Sequence, residues 1–124
     1  MKAIIFDDEL HEKPAAYRVP GIELSFFPHA DNAVAIAKRE RPDVVLMDFT
    51  MHADHSGADA VSALRALREH ESLQLYLVAI STDVNSNQRM LAAGADDAVP
   101  KTHVRGYLEK LLERDRLSRI SEQP

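Results

Sequence analysis

Short apolar runs alternate with longer segments of helical spacing along the chain, and this alternation restricts the fold more than any other feature of the sequence. Strands that alternate with helices favour repeated βα units around a parallel sheet. The nearly continuous apolar character of the runs is typical of strands that are covered on both faces. The sequence therefore predicts an α/β fold with five strands, at Lys2–Phe6, Ile22–Phe27, Val44–Asp48, Leu75–Ile80 and Ala98–Val99.

The segments between these runs carry helix signals. Asp31 and Thr102 are predicted N-caps, because a short polar side chain before an apolar stripe can accept a hydrogen bond from the first helical turn. Pro42 and Gly94 are predicted to end helices. The predicted helices run from Asp31 to about Glu40, from about Ala58 to His70, from Asn85 to Ala93 and from Thr102 onwards.

The connection between Asp8 and Gly21 is expected to depart from a regular helix. It contains both Pro14 and Pro20, and a proline inside a helix costs roughly 3 kcal/mol or more. We therefore expect a shortened or irregular helix between the first two strands.

The composition limits the size and the surroundings of the protein. A chain of 124 residues with 45% hydrophobic content can bury one core. The absence of cysteine excludes disulfides, thiol nucleophiles and cysteine-based zinc sites. The apolar stretch in MKAIIFDDEL is too short for a signal peptide or a membrane span, so we expect a cytoplasmic protein. The net charge of −5 opposes nucleic-acid binding by this domain and favours protein partners.

Charged residues stand where three of the predicted strands end. Asp7 and Asp8 close the first run, Asp48 closes the third, and Lys101 follows the fifth. Because the carboxyl ends of parallel strands share one edge, these side chains are expected to converge there. Crowded carboxylates raise each other's pKa unless cations compensate, and Mg²⁺ together with the lysine would do so. The arrangement suggests phosphoryl transfer.

Four segments in this order resemble the receiver domain of two-component response regulators across essentially the whole chain: IIFDDE, PDVVLMDFTM, VAIST and GADDAVPK. The resemblance implies a flavodoxin-like, three-layer (βα)5 fold with a parallel sheet of strand order 2-1-3-4-5. Residues 1–117 would form the receiver domain, and residues 118–124 are expected to form a flexible C-terminal tail.

The resemblance also implies roles for individual residues. Asp48 would accept a phosphoryl group from a phosphohistidine or a small acyl phosphate, and Ser81 and Lys101 would contact that group. The domain would then be a phosphoacceptor that catalyses its own phosphorylation and dephosphorylation, and not a turnover enzyme. A sensor histidine kinase or phosphotransfer protein and a downstream protein target are the implied partners.

Mg²⁺ is the implied cofactor. Asp8, Asp48 and the carbonyl of Thr50 would bind it directly, with Asp7 acting largely through water. The nearby His52, Asp54 and His55 could suggest a transition-metal site, but histidines in a loop are more often solvated.

Several residues depart from the family pattern. Ala98 replaces the aromatic residue of strand five, so we expect the signal to pass through Ser81 and residues 82–88 instead. Pro100 precedes Lys101 and Thr102 follows it, which makes the family's cis peptide after the lysine costly and predicts a different aim for Lys101. Thr82 would crowd the approach to Asp48 and slow phosphoryl exchange.

Two other functions remain open. A pseudo-receiver would bind a protein without being phosphorylated. A haloacid-dehalogenase-type phosphatase would use Asp7 as its nucleophile, but Glu9 stands where that family has its second aspartate. The remaining acids have simpler interpretations: Asp43 as a turn residue, and Asp96 and Asp97 as solvated loop residues.

Overall fold

Five parallel strands form one sheet in the computed structural model, which describes residues 1–8, 17–49 and 57–122, with side chains up to residue 118. The order along the sheet is β2-β1-β3-β4-β5, so the predicted order 2-1-3-4-5 is confirmed. The strand bounds differ from the predicted ones by a single residue where they differ. They are β1 (Lys2–Phe6), β2 (Glu23–Phe27), β3 (Val44–Asp48), β4 (Tyr76–Ile80) and β5 (Asp97–Val99).

Helices of the described ranges cover both faces of the sheet. They are α1 (Ala33–Glu40), α2 (Gly57–Glu71), α3 (Val84–Ala93) and α4 (Val104–Glu122), and a 3₁₀ turn (Lys101–His103) precedes α4. None of the helices in these ranges is both long and apolar enough to cross a membrane. The predicted irregular helix falls largely on residues 9–16, which lie outside the described residues.

Side-chain alternation along each strand builds two cores. Ile4 and Phe6 of β1 point to the face that is covered by α1, α2 and α3. Ala3 and Ile5 point to the other face, which is covered by α4. Complete burial of one large aliphatic side chain contributes about 1.5–3 kcal/mol. The two cores therefore fix both the register of the strands and the layers around them.

Two predicted helix starts are wrong. Asn32, and not Asp31, is the N-cap of α1, and it makes no capping hydrogen bond from its side chain within the described part of the chain. Thr102 lies inside the 3₁₀ turn, because the His103 N–H bonds to the Pro100 carbonyl and delays the start of α4 to Val104. Helix α4 continues to Glu122, past the predicted start of the tail. The domain boundary at residue 117 and the flexibility of the tail stay predictions.

The three acids interpreted from the sequence as turn or solvated residues all hold backbone or side-chain donors. The Lys2 N–H donates to Asp43 Oδ2 at 2.7 Å and ties the start of β3 to β1. Asp96 Oδ2 accepts from the Leu77 N–H at 2.8 Å, and Asp97 Oδ2 accepts from the Tyr107 hydroxyl at 2.8 Å. Asp96 is exposed and Asp97 is partly exposed, in line with the prediction, but both carboxylates also stabilise the β5 edge of the sheet.

Candidate functional site

Asp7 and Asp48 lie side by side because the register of the two central strands places them there. Phe6 of β1 pairs with Met47 of β3, so the residues that follow are neighbours at the carboxyl edge of the sheet. Asp7 is completely buried and Asp48 is 2% exposed. Apolar strands that are fixed from both faces therefore carry two carboxylates into a site that water barely reaches.

Lys101 contacts both of these carboxylates. Its Nζ lies 3.0 Å from Asp7 Oδ2 and donates a hydrogen bond to Asp48 Oδ2 at 3.1 Å. Pro100 has an extended backbone, and the 3₁₀ turn begins directly after it. No described peptide bond is cis. The prediction that its altered neighbours aim Lys101 differently from other family members stays a prediction.

The pKa values show how strongly these charges interact. Burial, followed by the negative charge of Asp7, raises the pKa of Asp48 to about 6, although Lys101 acts in the opposite direction. Burial lowers the pKa of Lys101, but its hydrogen bonds with Asp7 and Asp48 outweigh that effect and raise it overall. One ammonium group therefore compensates the two buried carboxylates only in part.

Asp8 completes an acidic cluster that suits a hard cation. Carboxylate oxygens of Asp7, Asp8 and Asp48 all lie within 4.8 Å of one another. Three carboxylates facing one lysine leave an excess of negative charge, and oxygen donors of this kind are the ligands that Mg²⁺ takes in proteins. The donor set fits the predicted ion. Thr50 lies outside the described residues, as do His52, Asp54 and His55.

Ser81 lies at the same edge, one strand further along. Asp48 pairs with Ile80 of β4, and Ser81 follows as a buried residue of the β4–α3 turn. Its Oγ accepts a hydrogen bond from the Asp83 N–H at 3.2 Å. Thr82 is exposed, and its predicted effect on phosphoryl exchange stays a prediction.

Gly57 shapes the site, and sequence reasoning missed it. Its N–H donates to the Phe49 carbonyl at 2.9 Å. A Cβ at this position would lie 2.9 Å from Phe49 Cα and closer still to the Asp48 carbonyl oxygen. Only glycine lets the start of α2 approach the backbone of the phosphoacceptor candidate this closely. The available signal was a glycine just before the predicted helix that follows Asp48.

Residues 15–118 match the family model for the response regulator receiver domain. Because this match covers most of the chain, the chain belongs to the family of response-regulator receiver domains. The matched segment contains Asp48, Ser81 and Lys101. Asp7 and Asp8 precede it, and their place in the site follows from the geometry of β1.

The chain is also similar to the probable transcriptional regulatory protein TcrX of Mycobacterium tuberculosis, with 36% identity over 101 residues. The similarity covers 79% of the chain but 42% of TcrX, so the chain spans less than half the length of that relative.

Solved structures share the fold. The receiver domain of sensor histidine kinase PA1611 from Pseudomonas aeruginosa PAO1, which has a magnesium ion coordinated in its active site cleft, matches with a TM-score of 0.73 and 23% identity, over 91% of this chain and 94% of that chain. The response regulator domain of Thermotoga maritima CheB matches with a TM-score of 0.67 and 20% identity, over 100% of this chain and 98% of that chain. These similarities show that the flavodoxin-like fold of the chain is that of receiver domains.

Proposed function

We propose that this receiver domain accepts a phosphoryl group on Asp48 in a Mg²⁺-dependent signalling relay. The observation that carries the proposal is the contact of Lys101 with both buried carboxylates, at 3.0 Å and 3.1 Å. A structural ion pair needs only one carboxylate for each lysine. Two carboxylates on one ammonium group, with Asp8 beside them, form an acidic cluster of the kind that suits a further hard cation.

The chemistry is a nucleophilic displacement at phosphorus. A carboxylate oxygen of Asp48 forms the new bond to phosphorus, and the bond to the donor's imidazole nitrogen or acyl oxygen breaks with its electron pair leaving on the donor. Lys101 contacts a phosphoryl oxygen, and Ser81 donates its hydroxyl to another. Asp8, Asp48 and the Thr50 carbonyl would hold Mg²⁺ directly and Asp7 largely through water, and the ion would supply positive charge against the phosphoryl oxygens.

The partners follow from the same proposal. A sensor histidine kinase or phosphotransfer protein donates the phosphoryl group, and a downstream protein target reads the result, all in the cytoplasm. The net charge of −5 supports protein partners over nucleic acid for this domain. Because Asp48 is itself modified, the domain is a phosphoacceptor and not a turnover enzyme.

Incubation with acetyl phosphate and Mg²⁺ tests the proposal, with intact mass as the readout. The wild-type protein should gain one phosphoryl group, and Asp48→Asn should gain none. Asp31→Asn is the matched control, because it makes the same chemical change on an exposed carboxylate that follows β2. Phosphorylation of Asp48→Asn at the wild-type rate would refute the assignment.

A pseudo-receiver is the second candidate, and Ala98 is the observation that favours it. Ala98 lies in a groove of about 430 Å³ with Gly106 and Tyr107, and it offers no ring that could report on Asp48. Such a domain would bind its partner equally well with and without acetyl phosphate. The phosphatase alternative loses its support, since the chain belongs to the receiver family.

A further inference from the structure

Helix α3 buries the apolar Met90, as the usual amphipathic pattern requires, but it also turns two polar residues inward. Ser86 and Asn87 are each 8% exposed, whereas Val84 is 69% and Leu91 is 42% exposed. Burial of polar groups costs free energy unless hydrogen bonds replace those lost to water. The hydrogen bonds that Ser86 and Asn87 make therefore offset the free energy that their burial costs.

The Asn87 amide reaches back to the residue that ends β4. Its Nδ2 donates to the Ser81 carbonyl at 3.2 Å, and this bond is buried. Its Oδ1 is buried without a hydrogen-bond partner among the residues that the structure describes. A leucine has the same branched shape but would leave the Ser81 carbonyl without this bond, so asparagine holds the Ser81 backbone at the cost of one unpaired amide oxygen.

Two hydrogen bonds hold Ser81, one on its backbone and one on its side chain. Its carbonyl accepts from Asn87, and its hydroxyl oxygen accepts from the Asp83 N–H at 3.2 Å. A fixed carbonyl limits rotation about the Cα–C bond of Ser81 and so limits where its side chain points. Because Ile80 pairs with Asp48, this orientation decides whether the hydroxyl meets a group attached to Asp48.

We propose that Asn87 is a positioning residue for phosphoryl transfer, which acts by holding Ser81 so that its hydroxyl faces the phosphoryl oxygens on Asp48. The inference rests on the proposed function. Asn87 makes no contact with Asp48 in the structure's described hydrogen bonds, and its effect on the reaction therefore passes through Ser81.

A double-mutant cycle tests this coupling. The initial rate of phosphorylation by acetyl phosphate with Mg²⁺ is measured for the wild type, Asn87→Leu, Ser81→Ala and the double variant. Asn87→Leu should slow the reaction by about threefold or more, the size expected for directly coupled residues. The double variant should match Ser81→Ala alone, because the amide has nothing left to position.

Ser86→Ala is the matched control. Ser86 lies on the same buried turn, and its hydroxyl donates to Asp83 Oδ2 at 2.9 Å without touching Ser81. Its rate should stay within about twofold of the wild type. If Asn87→Leu fails to fold, Asn87→Ala takes its place in the cycle. The ¹³C shift of the Ser81 carbonyl should change in Asn87 variants and not in Ser86→Ala.

The outcomes separate the two proposals. Rate effects of Asn87 and Ser81 variants that simply multiply in the double variant would overturn the positioning role while leaving Asp48 as the acceptor. An unchanged Ser81 carbonyl shift in Asn87→Leu would overturn it as well. A wild-type protein that gains no phosphoryl group would overturn the proposed function instead.

Discussion

The Asp48 edge and the α3 side of the sheet are held by different interactions. At the edge, strand register places Asp7 and Asp48 next to each other, and Lys101 joins them through contacts of 3.0 Å and 3.1 Å. On the α3 side, the polar side chains of Ser86 and Asn87 face inward. The charged edge thus depends on strand register and ion pairs, whereas the α3 side depends on hydrogen bonds of buried polar side chains.

The largest effect is expected at Lys101. Lys101→Met would leave Asp7 and Asp48 buried without their cation, and we expect a loss of about 3 kcal/mol in the free energy of unfolding with EDTA present. Arg68→Met is the matched control, because it also removes a cation that pairs with an aspartate, but away from the Asp48 edge. Arg68 pairs with Asp96 at 2.6 Å, with both side chains more than a fifth exposed, and its loss should cost about 1 kcal/mol. Urea titrations measure both free energies of unfolding. Equal losses would show that Lys101 stabilises Asp7 and Asp48 no more than a surface ion pair would.

The second prediction concerns pH in metal-free protein. The folded pKa of Asp48, about 6, lies above its ordinary value of 3.8. The folded state therefore binds more protons between these values, and the free energy of unfolding falls as the pH rises through that window. The difference between the two pKa values of Asp48 corresponds to a fall of about 3 kcal/mol in the free energy of unfolding across this window.

Asp48→Asn removes this contribution, so the variant should gain stability relative to the wild type as the pH rises from about 4 to 7. Asp31→Asn, the exposed control, should follow the wild-type curve. Denaturant titrations at several pH values give the comparison. A constant difference between Asp48→Asn and the wild type would mean that Asp48 titrates normally.

The third prediction separates two glycines. Gly57→Ala should cost about 1–3 kcal/mol, because the new Cβ would overlap the Asp48 backbone. Gly106→Ala, inside α4, should raise stability by about 0.5–1 kcal/mol, since its Cβ meets no atom within 4 Å. Thermal unfolding ranks the two variants. If they behave alike, α2 is not packed against the site as tightly as described.

The smallest effect is expected for Ala98→Tyr, which returns a ring to β5. The groove beside Ala98 holds about 430 Å³, so the ring should be accepted with less than about 0.5 kcal/mol change in stability. Urea unfolding of the two proteins measures this change. A loss well above 1 kcal/mol would show that the groove does not admit the ring.

The fold and the charged edge could be predicted from the sequence because strand patterns carry them. A continuous apolar run that ends in an acid, as Val44–Asp48 does, predicts both a buried strand and the edge at which the acid lies. The contact of Lys101 with two carboxylates then follows from parallel strands that end together.

Other features depend on tertiary contacts that no local pattern records. Asp96 was interpreted as a solvated loop residue because it follows Gly94. Its sequence position does not indicate that its carboxylate also accepts a hydrogen bond from a backbone N–H of β4 at 2.8 Å. Thr102 has the chemistry of an N-cap, but the turn closed by Pro100 and His103 places it before the helix. Asn87 lies within the helix predicted from Asn85 to Ala93, and its bond to Ser81 forms only when α3 packs on β4. The roles of the site residues and the relay through residues 82–88 stay predictions.

Locating the phosphoryl group is the most direct test of the central claim. Wild-type protein is treated with acetyl phosphate, with Mg²⁺ in one sample and EDTA in the other, and its peptides are analysed by mass spectrometry. If Asp48 is the phosphoacceptor, the sample with Mg²⁺ should carry label on Asp48 alone, and the EDTA sample should carry none. Label on Asp7, or equal labelling with and without Mg²⁺, would contradict it.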